Sequence, residues 1–186
     1  MTKKTIILTF YSLFCISSFG QVKGPSAVTP DILQRITAEV NKEAARFKDS
    51  LIKEDGLTKE YIEYAVDTFK LQHISLRKVD IDWSTPGINT AVDEMTDGYD
   101  KLMNKYYQKL MQTLDPDDKN ALVNAQRAWL QFRTAEMKLV GVLTNNEKYS
   151  GGGTIQSNIS VSDYSDLVVQ RTDQLFDYYN GTKNWQ

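Results

Sequence analysis

Apolar residues recur at intervals of three and four positions through most of this chain, which is the spacing of one face of an α-helix. No segment alternates apolar and polar residues over a comparable length, as a strand would. The pattern therefore predicts an all-α fold. The predicted helices cover about residues 30–53, 57–80, 87–114, 116–144 and 163–179.

Prolines mark three of the predicted helix starts. Thr29, Thr85 and Asp115 each precede a proline, and this pair of residue types is typical of an N-cap followed by the first helical position. The third and fourth helices follow each other with almost no connecting segment, so they are predicted to form an antiparallel pair. The result is a helical bundle of long antiparallel helices, to which the first two helices add an N-terminal helical hairpin.

The segment 145–162 shows no helical period and contains three consecutive glycines. We predict a long irregular loop here. Loops of this length are uncommon in compact domains unless they are functional or disordered, so this loop is the candidate partner-binding segment. Its candidate residues are Lys148, Tyr149, Gly151, Gly152 and Gly153.

Residues 1–20 have the three parts of a signal peptide: the basic start MTKK, the apolar run TIILTFYSLFCIS and small residues before a cleavage point. The apolar run is short for a membrane anchor, although a retained span is the alternative interpretation. We therefore predict a periplasmic or secreted protein with no membrane span after cleavage.

Cleavage after residue 20 changes the charge and the available chemistry. It removes Lys3 and Lys4 but no acidic residue, which leaves 20 basic and 24 acidic residues and a net charge of −4. An acidic chain is an unfavourable ligand for nucleic acid. Cleavage also removes Cys15, the single cysteine, so the remaining chain can form neither a disulfide nor a thiolate metal site. We predict no metal and no cofactor.

The stretch AQRAWLQFR, residues 125–133, mixes charged, amide and aromatic side chains within the fourth helix. On a helical wheel, one face of this helix is apolar, with Glu136 in its middle. The apolar members of that predicted face are Leu122, Ala125, Trp129, Phe132, Leu139, Val140 and Leu143. A carboxylate in such a face is costly unless it is paired. The pattern therefore predicts a polar network that joins the fourth helix to its neighbours, formed by Gln126, Arg133, Glu136 and Arg171.

A catalytic interpretation of the same residues is the alternative. Glu136 would be a general acid, with Asp100 as the second carboxylate of a glycan-cleaving pair. Paired ions explain the spacing equally well, so we predict no catalytic residue and a protein that is not an enzyme. His73 is the single histidine, and its position in an apolar stripe predicts a core or boundary residue.

Four blocks of sequence carry a family resemblance: MTDGYDKLMNKYYQKL (95–110), AQRAWLQFRTAEM (125–137), GGGTIQSN (151–158) and QRTDQL (170–175). Together they resemble the lysozyme inhibitor LprI-like N-terminal domain family over about residues 86–180. AQRAWLQFR is the most specific block. Gly98 and Met137 stand at two places where the family usually has cysteines, so apolar packing would replace those disulfides.

The resemblance implies an exported, all-helical bacterial envelope domain that inhibits lysozyme. The predicted organisation is a signal peptide (1–20), an N-terminal hairpin with its connector (21–85) and the family domain (86–186). The leading hypothesis is a protein partner, with lysozyme as the candidate, whose substrate cleft receives the loop 145–162. The alternative is an envelope interaction or scaffold protein that binds another bacterial protein through the hairpin 29–80. The oligomeric state stays open.

Overall fold

The fold is known from a computed structural model, which describes residues 24–184. Within these residues the chain forms six helices and no strands, so the prediction of an all-α fold is confirmed. The predicted signal peptide lies outside the described residues. The helices are α1 (Pro30–Ile52), α2 (Lys59–Ile81), α3 (Thr85–Thr113), α4 (Pro116–Asn145), α5 (Glu147–Ser150) and α6 (Ile155–Asn184).

The helix starts follow local capping chemistry. The side chain of Thr29 caps α1 by accepting a hydrogen bond from a backbone N–H, and Thr58 caps α2 in the same way. The cap of α3 is Ser84, whose Oγ accepts from the backbone N–H of Gly87 at 3.2 Å. The prediction of Thr85 as that cap is wrong, because the serine one residue earlier reaches the free N–H and the helix already includes Thr85.

The predicted loop 145–162 is wrong over most of its length. Residues 147–150 form the short helix α5, and α6 begins at Ile155, two turns before the predicted start. Ile155 and Ile159 are exposed in these first turns while Asn158 is buried. The sequence of these first turns therefore shows no apolar helical period, because a polar residue occupies the inward-facing position. Only residues 151–154 remain irregular between α5 and α6.

Helix α6 lies between α3 and α4 and runs parallel to α3. Near the starts of the two helices Asn89 donates to Ser157 Oγ at 3.1 Å, and near their middles Thr172 Oγ1 donates to the carbonyl oxygen of Tyr99 at 3.1 Å. The contact between α3 and α6 is the most extensive in the bundle, and α4 packs mainly on α6. The consecutive helices α3 and α4 are antiparallel, but each packs mainly on α6.

The hairpin of α1 and α2 packs on α3 mainly through α2, which also contacts α6. Helix α2 approaches α3 closely at Gly98, where an added Cβ would lie only 2.2 Å from Leu71 Cδ2. Leu71 therefore fills the space beside one of the positions where the family resemblance led us to expect a cysteine. The buried Lys78 of α2 also pairs with Glu94 of α3 at 2.5 Å.

Aromatic rings form the centre of the core. The rings of Tyr64 and Phe176 stack with centroids 4.0 Å apart, and Tyr106 meets both rings edge-on. This arrangement joins α2, α3 and α6 into one apolar cluster. Three tyrosines of this region, which we call the core tyrosines, are Tyr64, Tyr99 and Tyr106.

Burial raises the pKa of each core tyrosine phenol above its ordinary value. For Tyr64 a second cause adds to burial, because its hydroxyl donates a hydrogen bond to the carboxylate of Asp173. The neutral phenol is thus the form that the folded core accommodates.

Candidate protein-binding surface

A polar contact joins the middle of α4 to α6. Arg171 Nε donates to Gln126 Oε1 at 2.9 Å, and Arg171 Nη1 donates to Gln174 Oε1 at 2.5 Å. Only 6% of Arg171 is exposed, and burial lowers the pKa of its guanidinium. Its Nη2 is buried and has no hydrogen-bond partner within residues 24–184. The structure thus brings together Gln126 and Arg171 of the predicted network.

Trp129 lies beside this contact, flanked by two guanidinium groups. The guanidinium carbon of Arg133 is 5.0 Å from the ring centroid of Trp129 and 5.5 Å from that of Tyr164 on α6. The guanidinium carbon of Arg171 is 5.9 Å from the Trp129 centroid. Cations over an aromatic face are attracted by the ring quadrupole. The mixture of residue types in AQRAWLQFR therefore serves the contact between α4 and α6.

The structure leaves Glu136 outside this network. Its side chain is half-buried and makes no hydrogen bond or ion pair within the described part of the chain. The predicted apolar face of α4 is covered only in part: Leu122 and Val140 are buried, but Phe132 and Leu139 are each 51% exposed. Helix α4 instead turns the side with Gln126, Trp129 and Arg133 toward α6, because Arg171 and Tyr164 supply partners for those side chains.

The two carboxylates of the catalytic interpretation do not share a cleft. A groove of about 480 Å³ runs between α3 and α4, and its lining includes Asp100 and Arg133 but not Glu136. Asp100 accepts a hydrogen bond from Asn104 on its own helix at 3.1 Å. His73, the other residue considered for chemistry, is half-buried and stacks on Phe69 with centroids 3.8 Å apart. None of these contacts assembles a general acid with a second acid or base.

The glycine turn after α5 is supported by hydrogen bonds from a side chain of α6. Gly151, Gly152 and Gly153 have φ angles of 72°, 76° and 89°, a region that favours glycine because a Cβ is strained there. The side-chain amide of Gln156 donates to the carbonyl oxygen of Ser150 at 2.9 Å, and more weakly to that of Gly152 at 3.5 Å. Gln156 therefore supports the conformation of this turn, and we did not predict that role although Gln156 lies in the block 151–158.

Two side chains project from the structure next to this turn. Tyr149 is 57% exposed, and Lys148 Nζ lies 5.7 Å from its ring centroid. The helix that carries them is anchored by Asn146, whose Oδ1 accepts from the backbone N–H of Lys148 at 3.0 Å. We call α5 with the glycine turn, residues 147–154, the α5 tip. The α5 tip presents a cation and an aromatic ring on a short, supported projection.

A cleft of about 650 Å³ lies beside the α5 tip, between the end of α4 and the starts of α3 and α6. Its lining is mostly small and polar. Within residues 24–184 no cluster of His, Asp and Glu could hold a metal ion, and no helix there combines the length and apolarity that crossing a membrane requires. The α5 tip and this cleft lie side by side, apart from the groove between α3 and α4.

Comparison with known proteins identifies one family. A family model described as lysozyme inhibitor LprI matches residues 81–175, just over half of the chain, from the end of α2 into the second half of α6. The match confirms the family resemblance of the sequence. The description is that of an inhibitor and not of an enzyme. No curated protein and no solved structure matches the chain.

Proposed function

Since the chain belongs to the LprI lysozyme inhibitor family, we propose that it is an exported protein that binds lysozyme and inhibits it by direct contact. Inhibition of this kind requires shape and charge complementarity and no catalytic residue, so the protein is not an enzyme in this proposal. Export would follow cleavage of the signal peptide 1–20 and place the protein in the periplasm or outside the cell. The hairpin and connector 21–85 would be an addition to the family domain.

The observation that carries the proposal is the α5 tip. Lysozyme holds its substrate in a cleft with two catalytic carboxyl groups, and Lys148 would place an ammonium group beside them, where the substrate otherwise binds. Hydrogen bonds between an ammonium and a carboxylate are stronger than neutral ones. Tyr149, exposed beside Lys148, would occupy a neighbouring sugar position with its ring.

The rest of the molecule supports such a contact in two ways. Gln156 and the three left-handed glycines pre-form the α5 tip, which lowers the entropy cost of binding. The chain without residues 1–20 carries a net charge of −4, which would attract a basic lysozyme and raise the association rate.

The test is a titration of chicken-type and goose-type lysozymes, acting on cell walls, with the purified protein. We expect dose-dependent loss of activity near one protein per enzyme. Tyr149→Ala should weaken inhibition about tenfold, the effect of ~1.4 kcal/mol at a contact residue. Tyr178→Ala is the matched control, because Tyr178 is 51% exposed near the other end of α6. Failure to inhibit either enzyme, from a folded sample, would exclude the proposed function.

Gln156→Ala tests the pre-formed tip itself. We expect weaker inhibition with unchanged overall helicity, because the variant loses the amide that holds Ser150 and Gly152 while Lys148 and Tyr149 remain. Inhibition equal to that of the unmodified protein would show that the α5 tip does not act through its rigidity.

The second candidate function is an envelope interaction or scaffold role of the hairpin 29–80. Its support is the exposure of large apolar residues there, with Ile52 at 59% and Leu76 at 60%. These two side chains lie near opposite ends of the hairpin and do not form one patch, so inhibition is the better supported function. A hairpin variant that loses a captured envelope protein while keeping lysozyme inhibition unchanged would favour the scaffold role.

A further inference from the structure

The exposed side of α4 carries a regular apolar seam. We call it the α4 stripe, and its members are Ala121, Ala125, Ala128, Phe132, Ala135, Leu139 and Val142. All seven are exposed, and none is charged. Their separations alternate between four and three residues, which is the heptad spacing of a helix that packs against another helix. Within the described residues no helix covers this seam.

The α4 stripe is long enough to act as an interface. It covers 22 residues of a continuous helix, which corresponds to about 32 Å at 1.5 Å per residue. A seam of this length and about 10 Å width approaches the largest apolar patches on ordinary monomers, and such patches are commonly binding sites. The heptad spacing of the seam fits a helix as its partner.

Large and small residues are unevenly distributed along the α4 stripe. The N-terminal part contains only alanines, at 121, 125 and 128, whereas Leu139 and Val142 lie in the C-terminal part. Two copies of α4 packed antiparallel, with a two-fold axis between Phe132 and Ala135, would place every large residue against a small one. The resulting layers are Phe132 against Ala135, Ala128 against Leu139, and Ala125 against Val142. Each layer pairs one alanine with one larger residue, so no layer holds two large residues or two alanines.

A parallel pair would not have this property. It would place Phe132 against Phe132 and Leu139 against Leu139, while alanines faced alanines elsewhere, and voids would follow at the alanine layers. A second copy of the chain supplies the reversed size order in register by symmetry, as a two-fold interface requires. We therefore propose that the α4 stripe is the interface of an antiparallel homodimer.

The dimer leaves the candidate lysozyme-binding surface free. The α5 tip follows the C-terminal end of α4, so the antiparallel arrangement puts the two tips at opposite ends of the pair. With about 1.5 Å per helical residue from the two-fold axis, the tips would lie roughly 40 Å apart. The proposed dimer would therefore present two tips, and it does not depend on whether lysozyme is the partner.

Oligomeric state as a function of concentration is the first test. We expect the mass of the purified protein to double across a dilution series of about two orders of magnitude that reaches ~0.5 mM, since small interfaces are weak. Leu139→Glu should halve the mass at the highest concentration with helicity unchanged. Leu76→Glu is the matched control, because Leu76 is 60% exposed on α2, away from the stripe, and it should leave dimerisation intact.

Thiol crosslinking tests the orientation of the two helices. In a Cys15→Ser background an introduced cysteine is the only thiol of the chain. A mixture of Ala128→Cys chains and Leu139→Cys chains, treated with a short thiol crosslinker, should give the mixed dimer. Ala128→Cys chains alone should stay uncrosslinked, because in the antiparallel layers position 128 faces position 139.

Three results would overturn the proposal. The first is a monomer at every concentration, and the second is efficient crosslinking of Ala128→Cys chains to each other. The third is a Leu139→Glu variant that keeps its oligomeric state but loses lysozyme inhibition, which would make the stripe part of the lysozyme contact. A monomeric Leu139→Glu variant with full inhibition would support both the dimer and the separate role of the α5 tip.

Discussion

Helix α2 approaches α3 closely at Gly98. An alanine at this position should therefore destabilise the unmodified protein but stabilise a variant in which Leu71 is shortened. A Cβ at position 98 would lie 2.2 Å from Leu71 Cδ2 and 3.1 Å from its Cγ, so more than the end of the leucine side chain must move. Overpacking of this kind costs about 1–3 kcal/mol. Alanine in place of glycine in a helix raises the free energy of unfolding by about 1 kcal/mol. We therefore expect Gly98→Ala to lower the free energy of unfolding by about 1 kcal/mol.

Removing Leu71 should reverse the sign of this effect. In a Leu71→Ala background the atoms that block position 98 are absent, and only the helix propensity of alanine remains. Gly98→Ala should then raise the free energy of unfolding by about 1 kcal/mol. The coupling free energy between the two substitutions would be about 2 kcal/mol, within the range seen for residues in direct contact.

Urea unfolding followed by far-UV circular dichroism measures all four variants of the cycle. Gly141→Ala is the matched control, because an added Cβ in α4 there would meet nothing closer than 3.9 Å. It should stabilise the protein by about 1 kcal/mol in either background. The packing argument is refuted if Gly98→Ala stabilises the unmodified protein as Gly141→Ala does, or if the Leu71 background leaves its effect unchanged.

Three further predictions follow from the core. Burial raises the pKa of the core tyrosines above 10.0. As the pH rises, the unfolded chain therefore loses these protons before the folded protein does. The free energy of unfolding that they contribute is fully present below about pH 10 and falls above it. Urea midpoints between about pH 8 and 11 should show this loss, and Tyr64→Phe should make it shallower. Glu94→Ala should destabilise the protein more than Lys78→Met, because it leaves the buried ammonium of Lys78 without its partner; equal unfolding free energies would contradict this. Thr172→Val should cost about 1 kcal/mol in the same assay, since it removes the buried hydroxyl that contacts the carbonyl oxygens of Tyr99 on α3 and Val168 on its own helix. A neutral effect would mean that these contacts add no stability.

Local chemistry in the sequence predicted the helices that begin with strong signals. Pro30 and Pro116 stand at the first helical positions of α1 and α4 as expected, because a proline there loses no hydrogen bond. Such signals depend on a few neighbouring residues and not on the rest of the fold. The start of α6 has none of them, and its inward-facing Asn158 gives no apolar period, so it was missed.

The candidate site was predictable only in part. Gln126 and Arg171 belong to the expected network and do meet, because a buried guanidinium needs an acceptor and the amide is one helix away. The same argument failed for Glu136, which is half-buried at the border of the covered face, where water can solvate it. A carboxylate needs a partner only when it is buried. The sequence does not show whether Glu136 is buried, so it could not predict whether this residue has a partner.

The sequence alone determined the all-α class, the long helices and the family, since these depend on residue periodicity, capping and matching blocks. Only the tertiary structure decided which side of α4 is covered. That helix has an apolar side with Phe132 and Leu139 and a mixed side with Trp129 and Arg133, and hydrophobicity alone favours burying the first. The mixed side is covered because α6, inserted between α3 and α4, presents Arg171 and Tyr164 to it. Complementarity between helices distant in sequence exists only after they assemble, and it leaves the apolar side of α4 at the surface.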